Sequence, residues 1–218
     1  MTPQAGLLLS SIGFVGSHLL LSHPLRRPLA RRIGGGAFQG LYSLIAFAGL
    51  GAMIYFYRTI GREPAIWQLG EWAWVAAALL MWLAAVLLVG SFRGNPAMVG
   101  SRGPKGGPSG VFLITRHPMM WSFAIWAAVH LALIGTAKAS ALDGAILVLA
   151  LAGAAGQDRK KARQMGDSWH EWTAQTAFVP FTRGMGNPGA FALVGGTILF
   201  LLATWLHPMA TGIWRWVG

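Results

Sequence analysis

Five stretches of this chain run for 18 to 21 residues without an acidic or basic side chain other than histidine: 5–22, 37–57, 72–92, 118–137 and 189–206. Each is long enough, as a helix, to cross a hydrocarbon layer of ~30 Å. In that medium every backbone amide must be satisfied internally, so the runs specify helices. A sixth run, 139–157, is rich in Leu, Ala and Val and carries Asp143 near its start. Composition agrees: 55% of the 218 residues are hydrophobic, against 17 basic and 6 acidic groups, more apolar surface than a soluble domain of this length buries. The expected fold is an all-α integral membrane protein. It forms a single membrane domain over 1–218, with about six transmembrane helices.

The basic residues orient it. With six crossings, one side holds Arg26, Arg27, Arg31, Arg32, Arg93, Arg102, Lys105, Arg116, Arg159, Lys160, Lys161, Arg163 and Arg183, and the other only Arg58, Arg62, Lys138 and Arg215. Thirteen against four puts the crowded side in the cytoplasm and both termini outside. The net charge of +11 is thus topological, read against anionic membrane lipid. No nucleic-acid partner is expected, because the cations are spread over three loops with no recognisable module. Met1–Gly6 has no positive charge and no Ala-x-Ala site follows, which predicts a retained first helix in place of a cleaved signal.

Between the third and fourth runs, "RGNPAMVGSRGPKGGPSG" (93–110) is too rich in Gly and Pro for a helix and reads as a flexible connector. In "DRKKARQMGDSWHEWTAQTAFVPF" (158–181), Ala162, Met165, Trp169, Trp172 and Thr176 share one helical face and the charges lie elsewhere. That pattern predicts an amphipathic helix in the cytoplasmic interface, with its tryptophans packed and His170 solvated.

Ionisable groups inside spans cost a few kcal/mol and mark candidate sites. His18, His23, His117 and His130 qualify, whereas His207, beside Pro208 near the outer surface, carries less weight. Thirteen residues at ~100° and ~1.5 Å each put His117 and His130 on nearly opposite faces, about 20 Å apart. His18 and His23 are about 140° out of phase. A histidine pair on one metal must therefore bridge the first and fourth spans. Zinc and non-haem iron need carboxylates or more histidines than the spans supply. The chain has no cysteine, which removes thiolate haem, iron–sulfur clusters and C-x-x-C-H attachment. A bis-histidine haem fits the remaining pattern, with Gly13 and Gly16 leaving room beside His18 and Trp126 one turn from His130. The residues alone leave that reading and ordinary hydrogen-bonded packing both open.

Four segments, "GSHLLLSHPLRR", "GLYSLIAFAGL", "TRHPMMWSFAIWAAVHLAL" and "QDRKKARQMGDSWHEWTAQTAFVPF", occur in an order that closely resembles the NnrU family of small membrane proteins, over about residues 10–183. That family is similar to the zeta-carotene isomerases of plants and cyanobacteria, in which two histidines hold haem b and activity depends on reduced iron. The resemblance implies haem b on His18 and His130, with His117 and His23 as alternates. Arg26, Arg27 or Arg116 would meet the propionates, and Trp126 would lie beside the ring. Depth favours a tilted ring or the His117 alternate, since His18 is about 6 Å and His130 about 18 Å below the cytoplasmic boundary at ~1.5 Å per residue.

The implied function is redox-gated cis-trans isomerisation of a polyene such as 15-cis-zeta-carotene, with an electron donor as partner, in a bacterial inner membrane. The family's association with denitrification implies an alternative, a haem that senses or handles nitric oxide, or an accessory protein. The Arg116-His117-Pro118 corner with "MGDSWHEW" and "FVPF" also resembles isoprenylcysteine-type methyltransferases, which bind S-adenosylmethionine. Met120, Ser122 and Asp158-Arg159 depart from that pattern and imply shared ancestry more than methyl transfer.

Overall fold

The computed structural model describes residues 1–98, 101, 103, 104 and 106–217, and among these it is helical throughout, without strands. Nine α-helices follow in order: α1 Pro3–Ser22, α2 Arg26–Ile33, α3 Gly35–Thr59, α4 Glu71–Gly90, α5 Pro118–Ile134, α6 Ala137–Met165, α7 Asp167–Gln175, α8 Ala190–Trp205 and α9 Trp214–Val217. A 3-10 turn occupies Gly110–Leu113. The basic Arg102 and Lys105 of the sequence analysis lie outside the described residues.

Four helices, α1, α3, α4 and α6, are long and apolar enough to cross a membrane. Outward-facing Leu44, Phe47 and Leu79 are 67%, 75% and 64% exposed, an apolar exterior that suits lipid and not water. The fourth and fifth runs fold as the shorter apolar helices α5 and α8. At ~1.5 Å per residue their 17 and 16 residues span about 25 Å. The fourth run, drawn to Ala137, stops at Ile134 because Gly135 takes a left-handed φ of 56° and Thr136 then caps α6, its hydroxyl accepting from the Ala139 amide. The sixth run, drawn to Gln157, continues to Met165 as one helix of 29 residues.

The helices form two halves joined through α6. It packs against α1 and, more lightly, α3 on one side and against α5 on the other, while α4 packs against α5 and α8. Glycine allows the closest crossings. A Cβ at Gly196 of α8 would stand 2.5 Å from the Val86 Cα of α4, so these two backbones touch only because the residue is glycine. Trp82 fixes the same crossing, donating from Nε1 to the Thr197 hydroxyl at 2.9 Å.

The face predicted for 158–181 is real, but one helix does not carry it. Gly166 (φ 55°) breaks the chain into the end of α6 and the separate α7. Trp169 and Trp172 are buried against Val86, Leu87, Val111 and Phe112, with Ala162 and Met165 packed alongside. His170 is exposed. The connector also contributes: Pro96 is fully buried, and the Lys161 ammonium donates to the Pro96 and Met98 carbonyls at 3.1 and 3.4 Å. The densest core therefore lies at the end that carries the Arg116-His117-Pro118 corner.

Candidate functional site

Beside that core, a cavity of about 490 Å³ opens between α4, α5 and α8, reaching from Leu88 and Ser122 to His130 and His207. Its volume lies within the ~300–1,000 Å³ usual for small-molecule sites. It exists because α4 presents small side chains inward, Ala77, Ala78, Ala84 and Ala85, where leucines would have filled the space. From α5 come Ser122, Phe123, Trp126, Val129, His130 and Leu133, spaced at three and four residues and so on one helical face. Phe200, Ala203 and Thr204 line it from α8. The chain after α8 then folds back: Trp214 donates from Nε1 to the Leu201 carbonyl (3.2 Å) and the Thr204 hydroxyl (3.1 Å). This turn brings His207, Met209, Thr211 and Gly212 to the cavity mouth.

Two imidazoles meet there. The His130 ring lies 4.2 Å from Trp126, tilted by 30°, and its Nδ1–H donates to the Trp126 carbonyl at 2.8 Å. Because a carbonyl only accepts, the lone pair resides on Nε2. His207 faces it, with ring centroids 6.5 Å apart, and its buried Nδ1 has no hydrogen-bond partner among the described residues. His207, which carries less weight in the sequence, lines the same cavity. Its signal was the apolar run that it closes, but its inward turn depends on Trp214, which no local pattern announces.

His18 occupies a different neighbourhood. It lies against Phe14 and edge-on to Tyr42 of α3, with ring centroids at 4.3 and 5.4 Å, and donates from Nδ1 to the Phe14 carbonyl at 2.7 Å. It does not line the cavity. Gly13 and Gly16 have open space above them, and Arg26 stacks on Phe38, which neighbours Tyr42. His23 caps the end of α1 and presses on Gly156 of α6.

The Arg116-His117-Pro118 corner forms a third neighbourhood. Arg116 donates from Nε to both Asp158 oxygens (3.1 and 2.9 Å), from Nη2 to Oδ2 (2.6 Å) and from Nη1 to the Thr176 carbonyl (3.1 Å). His117 is fully enclosed, with Nε2 2.8 Å from the other carboxylate oxygen. The Thr115 hydroxyl and Trp121 Nε1 both donate to the Phe178 carbonyl, at 2.8 and 2.7 Å. Asp158, which sequence reasoning noted only as a departure from another family's pattern, anchors this network.

The predicted site residues thus separate: His18, His23, Arg26 and Arg27 on α1, at its end and on α2, His130 with Trp126, and Arg116 with His117. The His130 and His207 ring centroids stand 6.5 Å apart, close enough that both imidazoles could hold one metal ion. A backbone carbonyl holding Nδ1 of His130 is the usual support for a ligating histidine. The proposed propionate partners do not match that pair. Among the described residues no Lys or Arg lines the cavity, and Arg116, bound to Asp158, sits fourteen residues before His130, about 21 Å away at a helical rise. Among the described residues no group of three or more His, Asp or Glu converges as a metal site.

No curated protein and no solved structure matches this chain. A family model described as NnrU protein matches residues 6–215, nearly the whole length. The chain belongs to the NnrU family.

Proposed function

We propose that this protein binds haem b within the membrane, with His130 and His207 as the iron ligands, and acts on an apolar substrate in the cavity between α4, α5 and α8. The observation that carries the reading is the facing of these two imidazoles, 6.5 Å apart, across a space otherwise lined almost wholly by apolar groups. The reaction class that suits it is cis-trans rotation of a polyene such as 15-cis-zeta-carotene. Such rotation needs no general base or nucleophile, and no carboxylate is among the described lining residues. When bound, haem would supply an iron able to polarise a double bond, with His130 or His207 giving up its place to free a coordination position. The chain's own part is to hold that iron, exclude water with alanine and leucine walls, and stack Trp126 beside His130.

The topology that accompanies this reading has six spans, α1, α3, α4, α5, α6 and α8, with α7 at the cytoplasmic interface. Support comes from charge. At the end assigned outside, Arg215 pairs with Glu71 at 2.6 Å, so one of the four cations there is offset by an acid. The other end keeps its excess.

The test is the oxidised and reduced absorption spectrum of protein purified in detergent from cells supplied with haem. The Soret band is expected in the wild type and in His18→Ala, and is expected to be lost in His130→Ala and His207→Ala. Colourless wild type, or loss with His18→Ala alone, contradicts the proposal. Turnover of a 15-cis polyene by the reduced protein only is expected next. Nitric oxide binding without such turnover moves the reading to gas handling.

A further inference from the structure

A second, smaller cavity of about 180 Å³ lies beside the Arg116-His117-Pro118 corner, lined by Asn95, Met98, Met119, Met120, His117 and Gln157, with Ala97 and Arg116 at its edge. The site proposed for haem does not include it. Its chemistry follows from what its polar groups already hold. Arg116 is spent on Asp158, and both carboxylate oxygens are occupied. His117 is 2% exposed and its Nε2–H donates to that carboxylate, which leaves the lone pair on Nδ1. That Nδ1 is buried and has no partner among the described residues. A buried acceptor without a partner costs ~1–3 kcal/mol, so a ligand that fills it is favoured. The same cavity brings together three thioethers, two of them on consecutive residues of α5. Met120 also reaches α6, where a Cβ at Gly153 would stand 3.7 Å from its sulfur.

One imidazole lone pair with thioethers, and no free carboxylate, is a soft donor set. Hard cations such as Mg2+ and Ca2+ need oxygen ligands, and zinc sites use thiolate, imidazole or carboxylate. Thioether sulfur selects the cuprous ion. A carboxylate on the far nitrogen of a histidine is the support that orients a metal-ligating imidazole and raises its basicity, and Asp158 supplies it here. We propose that this cavity is a Cu(I) site formed by His117 Nδ1 with sulfur from Met119, Met120 and Met98. Binding there would tie the 95–98 turn, already held by Lys161, to the start of α5.

The test is competition for Cu(I) between full-length protein in detergent and a chromogenic cuprous chelator, under anaerobic reduction. Wild type is expected to retain one equivalent. The conservative Met119→Leu/Met120→Leu variant, which leaves the Asp158 network intact, is expected to lose at least tenfold in affinity. His130→Ala and His207→Ala are expected to bind as wild type, so failure at the large cavity and failure here are distinguishable. X-ray absorption on the loaded protein is expected to show sulfur together with one imidazole nitrogen. Equal retention by wild type and the methionine variant, no retention against the chelator, or a shell of nitrogen and oxygen alone would overturn the site.

Discussion

The two ends of the bundle treat histidine in opposite ways. At the corner, His117 is enclosed, and one ring nitrogen is fixed by a carboxylate that Arg116 also grips. In the large cavity, His130 and His207 lie near each other among apolar walls, with the ring and backbone carbonyl of Trp126 holding His130 in place. The packed core, with Trp169, Trp172, Val111 and Phe112, sits at the first end, while alanines keep the second open. The contrast separates a histidine fixed by charged partners from two set among apolar walls. Removing one member of a half-buried charge network leaves its partners uncompensated, whereas removing an unpaired imidazole from a cavity leaves nothing stranded.

The largest expected effect tests that division. Asp158→Ala strands Arg116 and His117 together and is expected to cost about 3–5 kcal/mol, or about 10 °C in detergent melting temperature. His130→Ala is expected to move the melting temperature of haem-free protein by under ~3 °C. Next is the α4–α8 crossing beside the open end. Gly196→Ala places a methyl against Val86 and is expected to lose ~1–3 kcal/mol by the same measurement. Ala78→Leu, which fills part of the cavity, is expected to do the reverse, gaining ~0.5–2 kcal/mol while reducing haem retention severalfold.

The smallest effect concerns pH. Burial first, and then Lys160, Arg159 and Arg163, hold the His23 pKa below its ordinary 6.5. A depressed histidine contributes stability that is fully present above pH ~6.5 and lost as pH falls through the folded value, because the unfolded chain binds the proton more readily. Melting temperature is therefore expected to fall between pH 7.5 and 5.5 more steeply in wild type than in His23→Gln. Parallel slopes would remove His23 from the account.

Much of this contrast was readable in the chain, because uncharged runs fix where helices lie and a face at three- and four-residue spacing fixes which tryptophans pack. The stop at Gly135 and the cap at Thr136 carry ordinary local signals, and a strict reading of them would have ended the fourth run where α5 ends. The pairing of Arg116 with Asp158, 42 residues apart, has no local signal at all. Nor does the fold-back that brings His207 to His130, since it depends on Trp214 reaching Thr204. The family resemblance implies His18 with His130; α6, which packs against both α1 and α5, gives them separate surroundings.

The chain lacks cysteine, which permits a direct measurement of the central geometry. Cysteines placed in pairs at 130 and 207, and at 18 and 130, can be treated in native membranes with a short bifunctional thiol reagent and scored by proteolysis between the two sites. The account predicts efficient bridging for 130 with 207 and none for 18 with 130. Bridging in the 18–130 pair, and none in the 130–207 pair, would contradict it.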